Sequence, residues 1–279
     1  MSLLECYFDE SYSDREPRIL AVGGYVFEKG GCLAFDRDVK ALLDRHRLPY
    51  FHMVECAHGS DKFKTLGALE RIDIATQMIA LIRRFALFGV AVAVDQDEYR
   101  SIFPNGSFPP GIPLSDPYSY CCHSCLVAVQ GRLDRVGFKG SVGYFFEAGH
   151  NSASKFQGLM DQIFRSPDLK SQYRYSAHGF VPKTHRPVQA ADMLAWLHYT
   201  DLKNQLSPKF RPRRKDFIAL CDGFDVETKM VQQQHLLHMR AQTTAFFEGW
   251  PLLSGKWGPG HQPWANSPFV AAWSHKLSS

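Results

Sequence analysis

Four acidic residues stand where a folded chain would bring carboxylates together. Asp9 closes an apolar run at residues 3–8, Asp95 closes one at 85–94, and Glu147 closes one at 141–146. Short runs of this kind read as strands. In open α/β sheets ligands bind beyond the carboxyl ends of strands, so acids placed there can converge. The fourth, Asp192, lies in Val188-Gln189-Ala190-Ala191-Asp192-Met193-Leu194-Ala195-Trp196-Leu197, which is apolar on almost every side and predicts a buried helix. A carboxylate there is costly unless it is protonated, hydrogen-bonded or coordinated to a cation. Gln189, one turn earlier, is placed to orient it. Taken singly, Asp9, Asp95 and Glu147 read first as helix caps or solvated turn residues, and Asp192 as the partner of an arginine or a backbone amide. Taken together they are hard oxygen ligands from several elements, the donor type of Mg²⁺ or Mn²⁺. Two such ions about 3.5 to 4 Å apart stabilise the attacking and leaving oxygens in phosphodiester hydrolysis.

The elements that must hold these acids mix strands and helices, with no repeat at solenoid or propeller periods. Residues 3–8 and 19–27 predict two strands joined as a hairpin, with Gly23 and Gly24 marking a bulge or a close backbone approach. A helix is expected at 35–47, a short strand at 49–53 and a loop around His58, Gly59 and Ser60. Leu69, Ile72, Ile79, Ile82 and Ala86 fall on one face of an amphipathic helix. The run 85–94 is apolar without alternation, the pattern of a strand buried on both faces of a parallel or mixed sheet. Five prolines within residues 103–117 make a structured loop. Helices are expected at 118–136, 153–164, from Pro187, and at 228–247; a β-like run covers 173–181.

Composition bounds the class. The chain has 279 residues, 45% hydrophobic and 22% charged, as in ordinary globular proteins. A net charge of +4 permits a polyanionic partner without indicating one. The N-terminus is acidic at Glu5, Asp9 and Glu10, and no apolar run approaches the roughly 20 residues of a membrane helix, which together suit a cytoplasmic protein. Seven cysteines, with Cys121, Cys122 and Cys125 crowded together, fit free thiols better than disulfides. Those three and His123 have zinc-like local spacing but no second pair, and read as small buried thiols on a helix. His52 and Glu55 border the expected active edge, where ordinary hydrogen bonding is their first reading. Lys183 and His185, with His178, precede the Asp192 helix and are in reach of a phosphate, or simply solvated. The run Lys209, Arg211, Arg213, Arg214 and Lys215, interleaved with Phe210, Pro212 and Phe217, is either a nucleic-acid track or a solvated linker. No Walker loop, Rossmann fingerprint or Gly-x-Ser-x-Gly elbow is present.

The opening Tyr7-Phe8-Asp9-Glu10-Ser11, the Gly23-Gly24 strand, the Phe51-His52 segment and Gln189-Ala190-Ala191-Asp192-Met193-Leu194-Ala195-Trp196 together resemble the family called domain of unknown function 3800, over about residues 3–203. That family is similar to ribonuclease H in fold. The resemblance implies a ribonuclease H-like mixed sheet with an acid on the first strand, Asp9, an acid on the late helix, Asp192, and an intermediate acid, Glu147. Tyr12 departs from the small residue usual after Asp-Glu-Ser.

The expectation is therefore an α/β chain with a ribonuclease H-like domain at 1–205. A basic linker, a helix and a Trp-rich extension follow at 206–279, packed on the domain or on a second subunit as a homodimer. Asp9, Glu147 and Asp192 would hold Mg²⁺ or Mn²⁺, with Glu10 and Asp95 as ligands or outer supports, for cleavage of DNA or RNA. The alternative is a module of the same fold that binds nucleic acid or a partner protein without cutting.

Overall fold

A computed structural model of the chain describes residues 2–13, 18–104, 116–209 and 211–249. In chain order the strands are β1 (Leu3–Tyr12), β2 (Ile19–Glu28), β3 (Ala86–Asp95), β4 (Ser141–Glu147), β5 (Tyr175–Val181) and β6 (Val226–Met230). The α-helices are α1 (Lys29–Arg45), α2 (Met53–His58), α3 (Ala68–Phe85), α4 (Gln96–Ile102), α5 (Pro117–Arg135), α6 (Ala153–Ile163), α7 (Pro167–Gln172), α8 (Arg186–Gln205), α9 (Lys215–Cys221) and α10 (Gln233–Gly249).

The strands form one mixed sheet in the order β5-β4-β1-β2-β3-β6. β2 runs antiparallel between β1 and β3, whereas β4 is parallel to β1, β5 to β4, and β6 to β3. Five strands therefore point the same way and end at one edge. β1 and β2 form the expected hairpin, and β3 is buried along nearly its whole length, as its unbroken apolar run predicted.

Side chains alternate across the sheet. Leu4, Cys6 and Phe8 join α5, α6 and α10 in one core layer, while Tyr7 on the opposite face joins α1, α3 and α8 in the other. Asp9 shares the parity of Tyr7 and so faces α8. Glu147 does the same on β4, where Phe145 packs into the α8 layer.

Several boundaries differ from the sequence expectation. Residues 49–52 form no strand: the Phe51 N–H donates to the Gln189 Oε1 at 3.0 Å instead of to a ladder, and Met53 opens α2. The helix expected from Thr228 starts at Gln233, because Val226–Met230 pairs with β3 as an edge strand whose polar Glu227, Thr228 and Lys229 hide its strand character. This strand also ties the chain beyond residue 205 to the same sheet. On α3 the buried face is Ile74, Ala75, Met78, Ile79 and Ile82; Leu69 and Ile72 are exposed, since the first turn overhangs the packed layer. All seven cysteines are unpaired, and Cys121, Cys122 and Cys125 are buried against the sheet, with the Cys121 and Cys125 thiols directed at the Leu20 and Val22 carbonyls of β2. Among the described residues no helix is long and apolar enough to cross a membrane. Most of the proline loop, Phe210, and the Trp-rich segment 250–279 with its expected dimer contact lie outside the described residues.

Candidate metal centre

The site is built where β1 and β4 part: their ladder ends at Phe8 and Phe146, β4 stops at Glu147, and β1, expected to close at Asp9, continues along β2 to Tyr12. Phe8 pairs with Phe146 in parallel register, so Asp9 and Glu147, the next residue on each strand, reach the same level on the same face. Gly149 follows at φ 147°, a backbone conformation open to glycine that turns the chain away after the acid. Carboxylate oxygens of Asp9, Glu10 and Glu147 lie within 4.8 Å of one another.

Asp192 approaches from α8. The helix can come close because Gly23, which pairs with Asp9, has no side chain: a Cβ there would lie 3.0 Å from the Ala195 nitrogen. Gly23 thus marks a close approach of helix to strand, whereas a Cβ on Gly24 would meet the Tyr7 carbonyl and the Phe8 ring of β1. Asp192 is 7% exposed; its Oδ2 accepts the Met53 N–H at 2.5 Å, and its Oδ1 stands 3.6 Å from His52 Nε2. His52 Nδ1 is 2.9 Å from Glu55 Oε1, which also accepts the Tyr50 hydroxyl at 3.1 Å. A chain Tyr50–Glu55–His52–Asp192 results.

The side-chain hydrogen bonds of Gln189 go to other groups than Asp192. Its Oε1 takes the Phe51 N–H and its Nε2 donates to the Lys183 carbonyl at 2.9 Å, so it clamps two loops against α8 beside the acid. Lys183 Nζ sits 4.6 Å from the centre of the Tyr50 ring. Asp9, Glu10, Glu147, Asp192, His52 and Lys183 are among the residues lining a cavity of about 170 Å³.

Crowded, partly dehydrated carboxylates resist ionisation. Burial, followed by repulsion from Asp192, Glu10 and Glu147, pushes Asp9 well above the usual carboxylate range. Burial and the charge of Glu147 push Glu10 up to about 8. Burial and then Asp192 raise Glu147. Asp192 rises to about 6, chiefly through burial, against the opposing pull of His52 and the Met53 amide. Glu55 behaves oppositely: burial would raise it, but hydrogen bonds from His52, the Lys62 amide and Tyr50 hold it below its ordinary value. The three clustered acids are thus short of positive charge. On Mg²⁺ at its usual bond length, adjacent ligands stand about 3.0 Å apart and opposite ones about 4.2 Å, so Asp9, Glu10 and Glu147 would draw closer together to share one cation. The donor set fits a hard divalent ion.

No family profile matches the chain, and no curated protein matches it.

Asp95 stands apart. It pairs with Ile19, two strands over and four residues beyond the level of Asp9, about 16 Å away by strand spacing and rise. Its carboxylate caps α4 by accepting the Asp97 and Glu98 amides at 2.9 and 3.0 Å, the ordinary strand-end role. Glu10, by contrast, belongs to the inner cluster. The His185 ring lies tilted beside Tyr7, 5.1 Å between centroids, and does not line the cavity, while Lys183 does. The sequence signal for the second layer was present: His52 and Glu55 stand at the N-cap and third helical positions of α2, where side chains turn back toward the helix start. The clamp by Gln189 had no such signal, because its two backbone partners lie 138 and 6 residues away.

Proposed function

We propose that the chain is a divalent-metal-dependent phosphodiester hydrolase, a nuclease, built on a ribonuclease H-like fold. The observation that carries this reading is the convergence of Asp9, Glu10 and Glu147 within 4.8 Å at the carboxyl edge of a mixed sheet, with Asp192 lining the same cavity. An acid on the first strand, one after an intervening strand and one on a late helix also agree with what the resemblance to the domain of unknown function 3800 family implies.

Asp9, Glu10 and Glu147 are the residues to hold Mg²⁺ or Mn²⁺, and Asp192 completes the acidic wall across the cavity. The ion would supply water activation and neutralise charge at the phosphate. The protein supplies the geometry. Tyr50, Glu55 and His52 fix the side of Asp192 that the Met53 amide does not hold, and Gln189 keeps Lys183 at the rim. The Lys183 ammonium, set over Tyr50, can pair with a phosphate oxygen that enters the cavity.

Incubation with labelled single- and double-stranded DNA and RNA in Mn²⁺ or EDTA tests the proposal. Cleavage in Mn²⁺, abolished by EDTA and by Asp9→Asn, is expected. No metal-dependent cleavage on any of these substrates, with millimolar Mn²⁺ failing to bind, would favour the non-catalytic binding module.

A further inference from the structure

α8 carries more than Asp192. Trp196, Tyr199 and Lys203 follow it at four, seven and eleven residues, the spacing of a single helical face. At 1.5 Å per residue that stripe is about 16 Å long. It floors a groove of about 780 Å³ that shares Glu10, His52 and Asp192 with the acidic cavity and is walled by the end of β1 and by Arg211 and Arg214. Acids lie at the inner end of this groove, and cations lie along its outer part.

The cations differ in what they have left to give. Arg213 is bound to Asp201 at 2.8 Å, the acid on α8 that would otherwise oppose an anion. Arg214 is bound to Asp216 at 2.7 Å and lies over Trp196. Lys203 and Arg211 have no carboxylate partner among the described residues; Lys203 donates to the Tyr199 hydroxyl at 3.3 Å, a neutral partner that leaves its charge uncompensated. Phe217 is buried in the core, so it is no stacking surface. Tyr12, at the end of β1 three residues beyond Asp9, is 47% exposed and lines the groove.

We infer that this groove holds a single-stranded polynucleotide running away from the acidic cavity, with Lys203 and Arg211 on its phosphates and Tyr12 stacked on a base. The inference rests on the proposed nuclease reading for what lies at the groove's inner end. A stripe of about 16 Å accommodates at most four or five phosphates at the rise of a stacked strand. An exposed tyrosine in one groove with cations that no carboxylate neutralises is the combination that grips single strands irrespective of sequence.

Fluorescence anisotropy of labelled dT12 and rU12 with the full chain in EDTA tests the groove without cleavage. In a series of salt concentrations each lost phosphate contact should flatten the slope of log K against log salt by about 0.7, so Lys203→Ala/Arg211→Ala should flatten it by about 1.4. Tyr12→Ala should weaken binding about tenfold, and Tyr12→Trp should restore it. Lys203→Arg/Arg211→Lys should keep the wild-type slope. A double alanine variant with wild-type slope and affinity overturns the inference. So does a duplex or poly-glutamate competing as well as dT12, or wild-type protein that binds neither dT12 nor rU12 at low salt. Calorimetric Mn²⁺ binding, measured separately, reports on the metal centre whether or not the groove survives.

Discussion

Ala195 rides directly over Gly23: a Cβ on the glycine would stand 3.0 Å from the Ala195 nitrogen and 3.2 Å from its Cα. Because Gly23 pairs with Asp9, this contact sets how far Asp192, three residues earlier on α8, stands from the acids of β1 and β4. Gly23→Ala should push the helix outward by a few tenths of an ångström. The expected result is a loss of about 1–3 kcal/mol in stability by overpacking, with Mn²⁺ response weakened in the protein that still folds. Urea unfolding and Mn²⁺ titration measure the two effects; an unchanged midpoint and unchanged metal response would mean that the helix is not held by this contact.

Two buried acids on α8 have opposite surroundings. Asp201 is held by the Arg213 guanidinium through two hydrogen bonds of 2.9 and 2.8 Å, whereas Asp192 has a backbone amide and His52. Arg213→Ala should cost about 1–3 kcal/mol by leaving Asp201 buried without its cation, with only the Gln205 amide, at 2.7 Å, still donating to it. Asp192→Asn keeps an oxygen for the Met53 N–H and removes a repelling charge, so the apo protein should melt at the same temperature or higher while the metal-induced rise becomes smaller. A large destabilisation by Asp192→Asn would show instead that its charge is satisfied within the protein.

The fold was readable where a local pattern decided it. The unbroken apolar run of β3, the paired glycines of β2 and the buried helix around Asp192 each carry their own signal, and so the acids at the strand ends were legible. What escaped depends on distant partners. The Phe51 amide is taken by Gln189, and β6 becomes a strand only by pairing with β3, which its polar edge residues do not announce. Asp95 illustrates the limit from the other side: in the sequence it closes an apolar run just as Asp9 does, yet Asp95 ends its strand while β1 runs three residues past Asp9, and only strand register separates a cap from a cluster member.

The raised carboxylates set a pH dependence. Glu10 rises to about 8 and Asp192 to about 6, from ordinary values near 4, so the folded apo protein binds more protons than the unfolded chain across that interval. Their contribution is fully present below about pH 4 and is lost as pH rises, through 6 for Asp192 and through 8 for Glu10. Thermal melts in EDTA should therefore show this component falling between pH 5 and 8, by roughly 2–4 °C for each kcal/mol lost. Mg²⁺ should restore more stability at pH 8 than at pH 5, because it competes with protons for the same oxygens. Equal restoration at both values would contradict the assignment.

The most direct measurement is calorimetric titration of Mn²⁺ into the full chain at pH 8, beside Asp9→Asn and Glu147→Gln. Binding by the wild-type protein that is lost in both variants, with their folds intact by circular dichroism, is the predicted result. Wild-type protein that takes up no Mn²⁺ at millimolar concentration, or variants that bind it as well as the wild type does, would contradict a metal centre formed by these acids.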